Sequence, residues 1–127
     1  MSAMIVHGIP GSPYVRAALL SLEEKSADYK FAAMAPGGLK QQPHLSRHPF
    51  GRIPAFEHDG WMLYETQAIM RYVGTVVPGP RLQPEEPRAA ARMNQLMGHY
   101  RLVCDAAGLG ADHPQSRGDA PLQSAGR

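Results

Sequence analysis

Three short stretches of this chain combine residue types that could handle a small anionic ligand. The first is Gly11-Ser12-Pro13. Serine followed by proline is a strong helix start, with serine at the N-cap and proline at the first helical position. Ser12 either caps the helix and does nothing more, or its hydroxyl donates to a thiolate. The positive end of the helix also favours that anion and lowers the pKa of a bound thiol. The second stretch is Ile53-Pro54-Ala55. A proline between two strands removes a ladder donor, so it marks an edge strand or a deliberate turn of the backbone. The third is Glu65-Thr66, at a strand-to-helix junction. Thr66 serves there as a cap, or the free N–H groups of the helix start hold a carboxylate, with the Thr66 hydroxyl as a further donor.

Other polar residues carry weaker signals. Tyr14 lies two residues beyond Ser12, but Ser12 has the cap position and precedes Pro13. Lys40 alone reads as a solvated surface charge. His44 and His48 are four apart and could share a helix face as metal ligands. Pro49 follows at once and no third ligand is suggested, so no metal site is expected. His7 reads as a core or pocket-edge residue.

The elements that must position these groups follow from periodicity. Met4 to Gly8 is a short buried strand, and Val15, Ala18, Leu19 and Leu22 form one face of a helix. Tyr29, Phe31 and Ala33 alternate as a second strand. Residues 35–38 form a loop, and Lys40 to His48 holds one or two helical turns. Ile53–Glu57 and Trp61–Tyr64 are strands joined through His58-Asp59-Gly60, a hairpin signal. Ile69, Tyr72, Val73 and Val76 mark another helix, which Pro78-Gly79-Pro80 ends. Met93, Leu96, Met97 and Tyr100 mark a last helix, starting near Glu86. The order βαβ followed by ββα is that of a small α/β sandwich with a mixed sheet.

Composition narrows the class. At 127 residues, 43 % of them hydrophobic, the chain can form one packed domain and part of another. Its 13 basic and 11 acidic residues give a net charge of +2, with no basic block to suggest nucleic acid as a partner. The single cysteine, Cys104, excludes an internal disulfide and a CxxC redox pair. Neither a secretory signal nor a membrane-spanning run is apparent, so a cytoplasmic location is expected.

Gly11-Ser12-Pro13, Lys40, Arg52-Ile53-Pro54-Ala55-Phe56 and Glu65-Thr66 occur in one order that resembles the N-terminal domain of glutathione transferases. The longest match, Pro43 to Tyr72, is similar to the phi class and related bacterial members. The resemblance covers residue 4 to about residue 100. It implies a thioredoxin-like fold for residues 1–78, a linker at 79–86, and at 87–101 the first helix of an all-helical second domain. It further implies binding of reduced glutathione and activation of its thiol for attack on an electrophile, in a serine-type enzyme that forms a homodimer in the family.

Carried over position by position, Ser12 occupies the catalytic serine site. Pro54 would be cis, so that Ile53 pairs its N–H and C=O with the cysteinyl part of glutathione as an added strand would. The start of the helix at Thr66 would bind the γ-glutamyl carboxylate, and Glu65 its ammonium group. Lys40 would reach the glycine carboxylate. Two positions depart from the phi pattern: Leu39 stands where a histidine is usual, and Arg52 where glutamine is common. The glycine end is therefore altered, with Arg52 as a second cation or a solvent-facing residue. A binding or interaction module without catalysis is the competing class. Protein-dithiol redox chemistry is the weakest, because no cysteine stands near Ser12.

The apolar pattern stops abruptly after Gly98, in mid-helix. Residues 102–127 are rich in Gly, Ala, Pro, Asp and Arg and lack aromatics, so a disordered tail is expected. Codons exist for His99 onward that, with one base removed at the Gly98–His99 junction, read I-T-D-W-Y-V-M-P-Q-V-S-G. That string resembles the start of the second domain in bacterial glutathione transferases. A frame-shifted second domain is therefore expected, leaving a chain that is poorly stable or inactive alone.

Overall fold

The computed structural model describes residues 3–108. Strand β1 (Met4–Gly8) runs parallel to β2 (Tyr29–Ala33), with Met4 opposite Tyr29 and Gly8 opposite Ala33. The crossover between them is helix α1 (Pro13–Glu24). Strand β3 (Ala55–His58) pairs antiparallel with β1 on its other side and with β4 (Trp61–Tyr64), giving the sheet order β2-β1-β3-β4. This is the expected mixed four-stranded sheet in a βαβ-ββα chain, an α/β fold of thioredoxin-like form.

The β3–β4 hairpin closes at Asp59 and Gly60, whose φ angles of 50° and 84° are both positive. A two-residue turn of that hand matches the twist of the strands it joins. Asp59 also ties the turn to the N-terminal end of β1: its N–H donates to the Ala3 carbonyl at 3.0 Å, and its Oδ1 accepts the Ala3 N–H at 2.7 Å.

Alternation along the strands sends Met4, Val6, Phe56 and His58 to one face of the sheet. There α1 contributes Val15, Ala18 and Leu22, and helix α3 (Thr66–Val76) contributes Ile69 and Val73. Val6, Val15, Ala18, Leu22, Phe56, Ile69 and Val73 are fully buried. Helix α1 comes so close to β1 that a Cβ on Gly8 would stand 2.5 Å from Val15 Cγ2, so glycine is required at that contact. The opposite face presents Ile5, His7, Ala55 and Glu57, on the side of the sheet away from α1 and α3. The single turn α2 (His44–Arg47) lies in the connection from β2 to β3.

Three elements differ from their expected limits. Residues 36–38, expected as loop, form a turn of 3-10 helix. Strand β3 begins at Ala55 rather than Ile53, because Pro54 has no N–H to give the ladder. The third difference is helix α4 (Pro87–Ala106), whose first turn is capped by Glu86, the carboxylate accepting from the N–H groups of Arg88 at 2.9 Å and Ala89 at 2.8 Å. It passes Gly98 without a break and continues through residues 102–106, which were expected to belong to the tail. Met93, Met97, Tyr100 and Cys104 continue the helical spacing, and Cys104 is buried. The rest of the expected tail, residues 109–127, lies outside the described residues. Among those described, no helix is long and apolar enough to cross a membrane.

Candidate functional site

The N-terminus of α1, the entry to β3, the N-terminus of α3 and the second half of α4 converge on one cleft of about 150 Å³. Arg52, Ile53, Pro54, Glu65 and Thr66 line it, as do Tyr14, His48, Met70, Met97, Tyr100, Arg101 and Asp105. Five of the seven residues selected from the sequence thus meet in one place. Ser12 and Lys40 do not line this cleft.

Each of these positions has a local cause. The Ile53–Pro54 peptide bond is cis, and the ladder takes up only at Ala55, so Ile53 precedes the paired strand at the cleft wall. Glu65 is the N-cap of α3 with φ 76° and ψ 115°, a backbone region that side-chain-bearing residues rarely adopt. Among the described residues no side chain caps α3, and Thr66 and Gln67, whose N–H groups open the helix, line the cleft. The Thr66 hydroxyl donates to the Tyr14 carbonyl at 3.4 Å, linking the starts of α3 and α1.

Ser12 is the N-cap of α1, as its spacing predicts. It is buried, and its Oγ accepts the Val15 N–H at 3.4 Å. An accepting hydroxyl keeps its own O–H as a donor. Lys40 is exposed on the preceding loop and donates from Nζ to the Phe50 carbonyl at 2.5 Å. Gly51 sits beside that contact with φ 61°. A Cβ there would lie 2.6 Å from the Leu39 carbonyl oxygen and 2.7 Å from Lys40 Cδ. Arg52 has an exposed side chain, and its carbonyl oxygen accepts the His44 Nε2–H at 2.6 Å.

His48 was not singled out for the cleft from sequence. It is buried with its ring 4.5 Å from that of Tyr64, and its Nδ1 accepts the Phe50 N–H at 3.3 Å. Burial is the main reason its pKa lies below the ordinary histidine value, against the opposing pull of Glu65. His7 is lowered too, again chiefly by burial, although its Nε2 meets Glu57 Oε2 at 3.3 Å. Among the described residues, no group of three or more His, Cys, Asp or Glu side chains is placed to hold a metal ion.

The far wall belongs to α4 and was not anticipated. Arg101 Nη1 lies 3.1 Å from Glu65 Oε2. The Tyr14 hydroxyl meets Asp105 Oδ1 at 2.7 Å and the Arg101 carbonyl at 3.0 Å. Burial and then the Asp105 hydrogen bond push the Tyr14 phenol well above its ordinary pKa. Tyr14 and Tyr100 meet edge to face at 6.5 Å. Arg101 and Asp105 continue the helical face of Met97, which is the one sequence signal that could have found them.

Residues 6–81 match the family model described as glutathione S-transferase, N-terminal domain. Over 99 residues the chain is 36 % identical to glutathione S-transferase PARB of Nicotiana tabacum, covering 75 % of this chain and 46 % of that protein. Over 73 residues it is 41 % identical to glutathione S-transferase 4 of Zea mays, covering 56 % and 33 %. The chain therefore spans less than half the length of these relatives. Among solved structures, an epsilon-class glutathione S-transferase from the housefly Musca domestica superposes with a TM-score of 0.76 at 26 % identity, over 84 % of this chain and 50 % of that one. A glutathione transferase homologue from Sulfitobacter, solved with bound glutathione, gives 0.75 at 28 % identity, over 84 % and 53 %.

Proposed function

This chain belongs to the glutathione S-transferase family, and from that premise we propose that its cleft binds reduced glutathione and activates the thiol for conjugation to an electrophile. The observation that carries the reading is the start of α3. Among the described residues no side chain caps its first N–H groups, and Thr66 and Gln67 line the same cleft as Ile53 and Glu65. A peptide with a γ-glutamyl group offers a carboxylate for those N–H groups and an ammonium for Glu65. Its cysteinyl backbone can pair with Ile53 at the place where the ladder has not yet begun.

Ser12 is the group proposed to act on the thiol. Its hydroxyl stands at the positive end of α1, where a donated hydrogen bond and the helix dipole both favour thiolate over thiol. The thiol proton passes to solvent, the sulfur forms a bond to the electrophilic carbon, and the leaving group departs with its electron pair. Lys40 and Arg52 are proposed as cations for the glycine carboxylate. In this reading α4 opens the helical second domain of the family.

The competing reading is a module that binds glutathione without catalysis, and it draws on Ser12 standing off the cleft wall. One experiment separates the two. Glutathione is titrated into the full chain while the ultraviolet absorbance of bound thiolate and turnover of an aryl halide are followed. Binding with a thiolate signal that Ser12→Ala abolishes supports the enzyme. Binding without thiolate supports the module. Absence of binding removes both.

A further inference from the structure

We infer that Arg101 is an internal competitor for the ammonium group of the ligand, its guanidinium holding the Glu65 carboxylate that an amino-bearing ligand must take. The inference rests on the proposed role of Glu65.

The geometry has three parts. First, Arg101 Nη1 and Glu65 Oε2 are 3.1 Å apart, on residues 36 positions distant, so the end of α4 reaches directly onto the N-cap of α3. An ammonium arriving at the same carboxylate would stand beside a second positive charge, and like charges at such range disfavour joint occupancy. Second, the contact is held in place. The Tyr14 hydroxyl engages both the Arg101 carbonyl and Asp105 Oδ1, which fixes this turn of α4 against the start of α1. Third, the guanidinium can yield. The side chains of Arg101 and Glu65 are 46 % and 45 % exposed, so the pair is not locked in a dry interior. Asp105 Oδ2 lies 3.9 Å from Arg101 Nε, a second carboxylate to which the displaced cation can turn. Displacement therefore leaves the cation with its Asp105 partner and strands no charge.

The opposite role, Arg101 helping to bind the ligand carboxylate beside Glu65, predicts the reverse effect of its removal. Equilibrium dialysis of labelled glutathione against the full chain decides between them. Arg101→Gln is expected to tighten glutathione binding by about two- to five-fold, the range to which the strength of an exposed ion pair converts. Arg101→Lys, which keeps the charge, is expected to bind like the parent. With N-acetylglutathione, which has no ammonium, parent and Arg101→Gln are expected to bind equally. Unchanged or weakened glutathione binding by Arg101→Gln overturns the inference, as does an equal gain for the acetylated ligand. If neither parent nor variant binds glutathione, the proposed function itself fails. That result is distinct from equal, measurable affinities, which sink only the role of Arg101.

Discussion

The Tyr14 hydroxyl meets the Asp105 carboxylate at 2.7 Å, joining the start of α1 to the last turns of α4 across 91 positions of sequence. With its phenol held protonated by burial and by that bond, Tyr14 is a poor candidate for the thiol-activating group. Tyr14→Phe should therefore leave the bound-thiolate absorbance of glutathione in place. Ser12→Ala should lower turnover by about a hundred-fold or more, the usual loss when one donor to a developing anion is removed, with a much smaller change in glutathione affinity. Thiolate absorbance that survives in Ser12→Ala and vanishes in Tyr14→Phe would reverse the assignment.

Alkaline titration offers a separate check on the same contact. Tyr14, Tyr29 and Tyr100 all have raised pKa values, Tyr14 and Tyr100 chiefly through burial and Tyr29 through its hydrogen bond to Glu23. Tyrosinate absorbance should therefore show a fraction that resists ionisation well above the ordinary value of 10.0. Tyr14→Phe should remove part of that fraction.

Acid stability should depend on His7 and His48. Both are lowered from the ordinary value of 6.5, so the folded chain keeps them neutral where the unfolded chain takes up protons. The unfolded state then binds more protons, and stability rises with pH through this window. Stability is thus complete above 6.5 and lost as pH falls below it towards the folded values. The melting temperature should drop across that interval, and His48→Gln should flatten part of the slope. A melting curve indifferent to pH there would contradict the burial argument.

The core contact between α1 and β1 makes a sharper demand. Gly8→Ala places a methyl 2.5 Å from Val15 Cγ2 and should destabilise the domain by about 1–3 kcal/mol, as overpacking does. Gly37→Ala, with nothing within 4 Å of the new Cβ, should stay within about 0.5 kcal/mol of the parent. Denaturant melts of the two variants measure the difference.

Helix α4 leaves Leu96, Leu102 and Val103 more than half exposed. Apolar surface of this kind favours association. Sedimentation should show concentration-dependent self-association, which the double variant Leu102→Gln/Val103→Gln reduces. A monodisperse monomer at all concentrations would show that this surface is too small to matter.

Much of this architecture is legible from short-range signals. Ser12-Pro13 marks the start of α1, Asp59-Gly60 the hairpin, and the run Met4 to Gly8 a short buried strand with those limits, because each depends on neighbours within one turn or one pleat. The cleft residues Ile53, Pro54, Glu65 and Thr66 are weak local signals one by one and become specific as a set, through their resemblance to a family. What stayed hidden depends on contacts between distant segments. No local pattern reveals that Arg101 meets Glu65 or that His48 packs on Tyr64. The end of α4 escapes the sequence pattern because apolar content falls after Tyr100, although Cys104 still keeps the helical spacing. Ser12 is legible as the cap of α1, and its catalytic role only through the resemblance; the cap position says where the hydroxyl sits on that helix and nothing about which cavity it borders.

Gly51 has a consequence for anyone who would re-engineer the loop that carries Lys40. Its missing side chain is the space into which the Leu39 carbonyl and the Lys40 stem fit, while Phe50, one residue earlier, supplies the carbonyl that receives the Lys40 ammonium. The segments around residues 39–40 and 50–53 are thus two halves of one clasp. A loop graft that exchanges either half alone will carry the wrong clearance for the other. Gly51→Ala should therefore part the two halves, because its Cβ would meet the Leu39 carbonyl and the Lys40 stem.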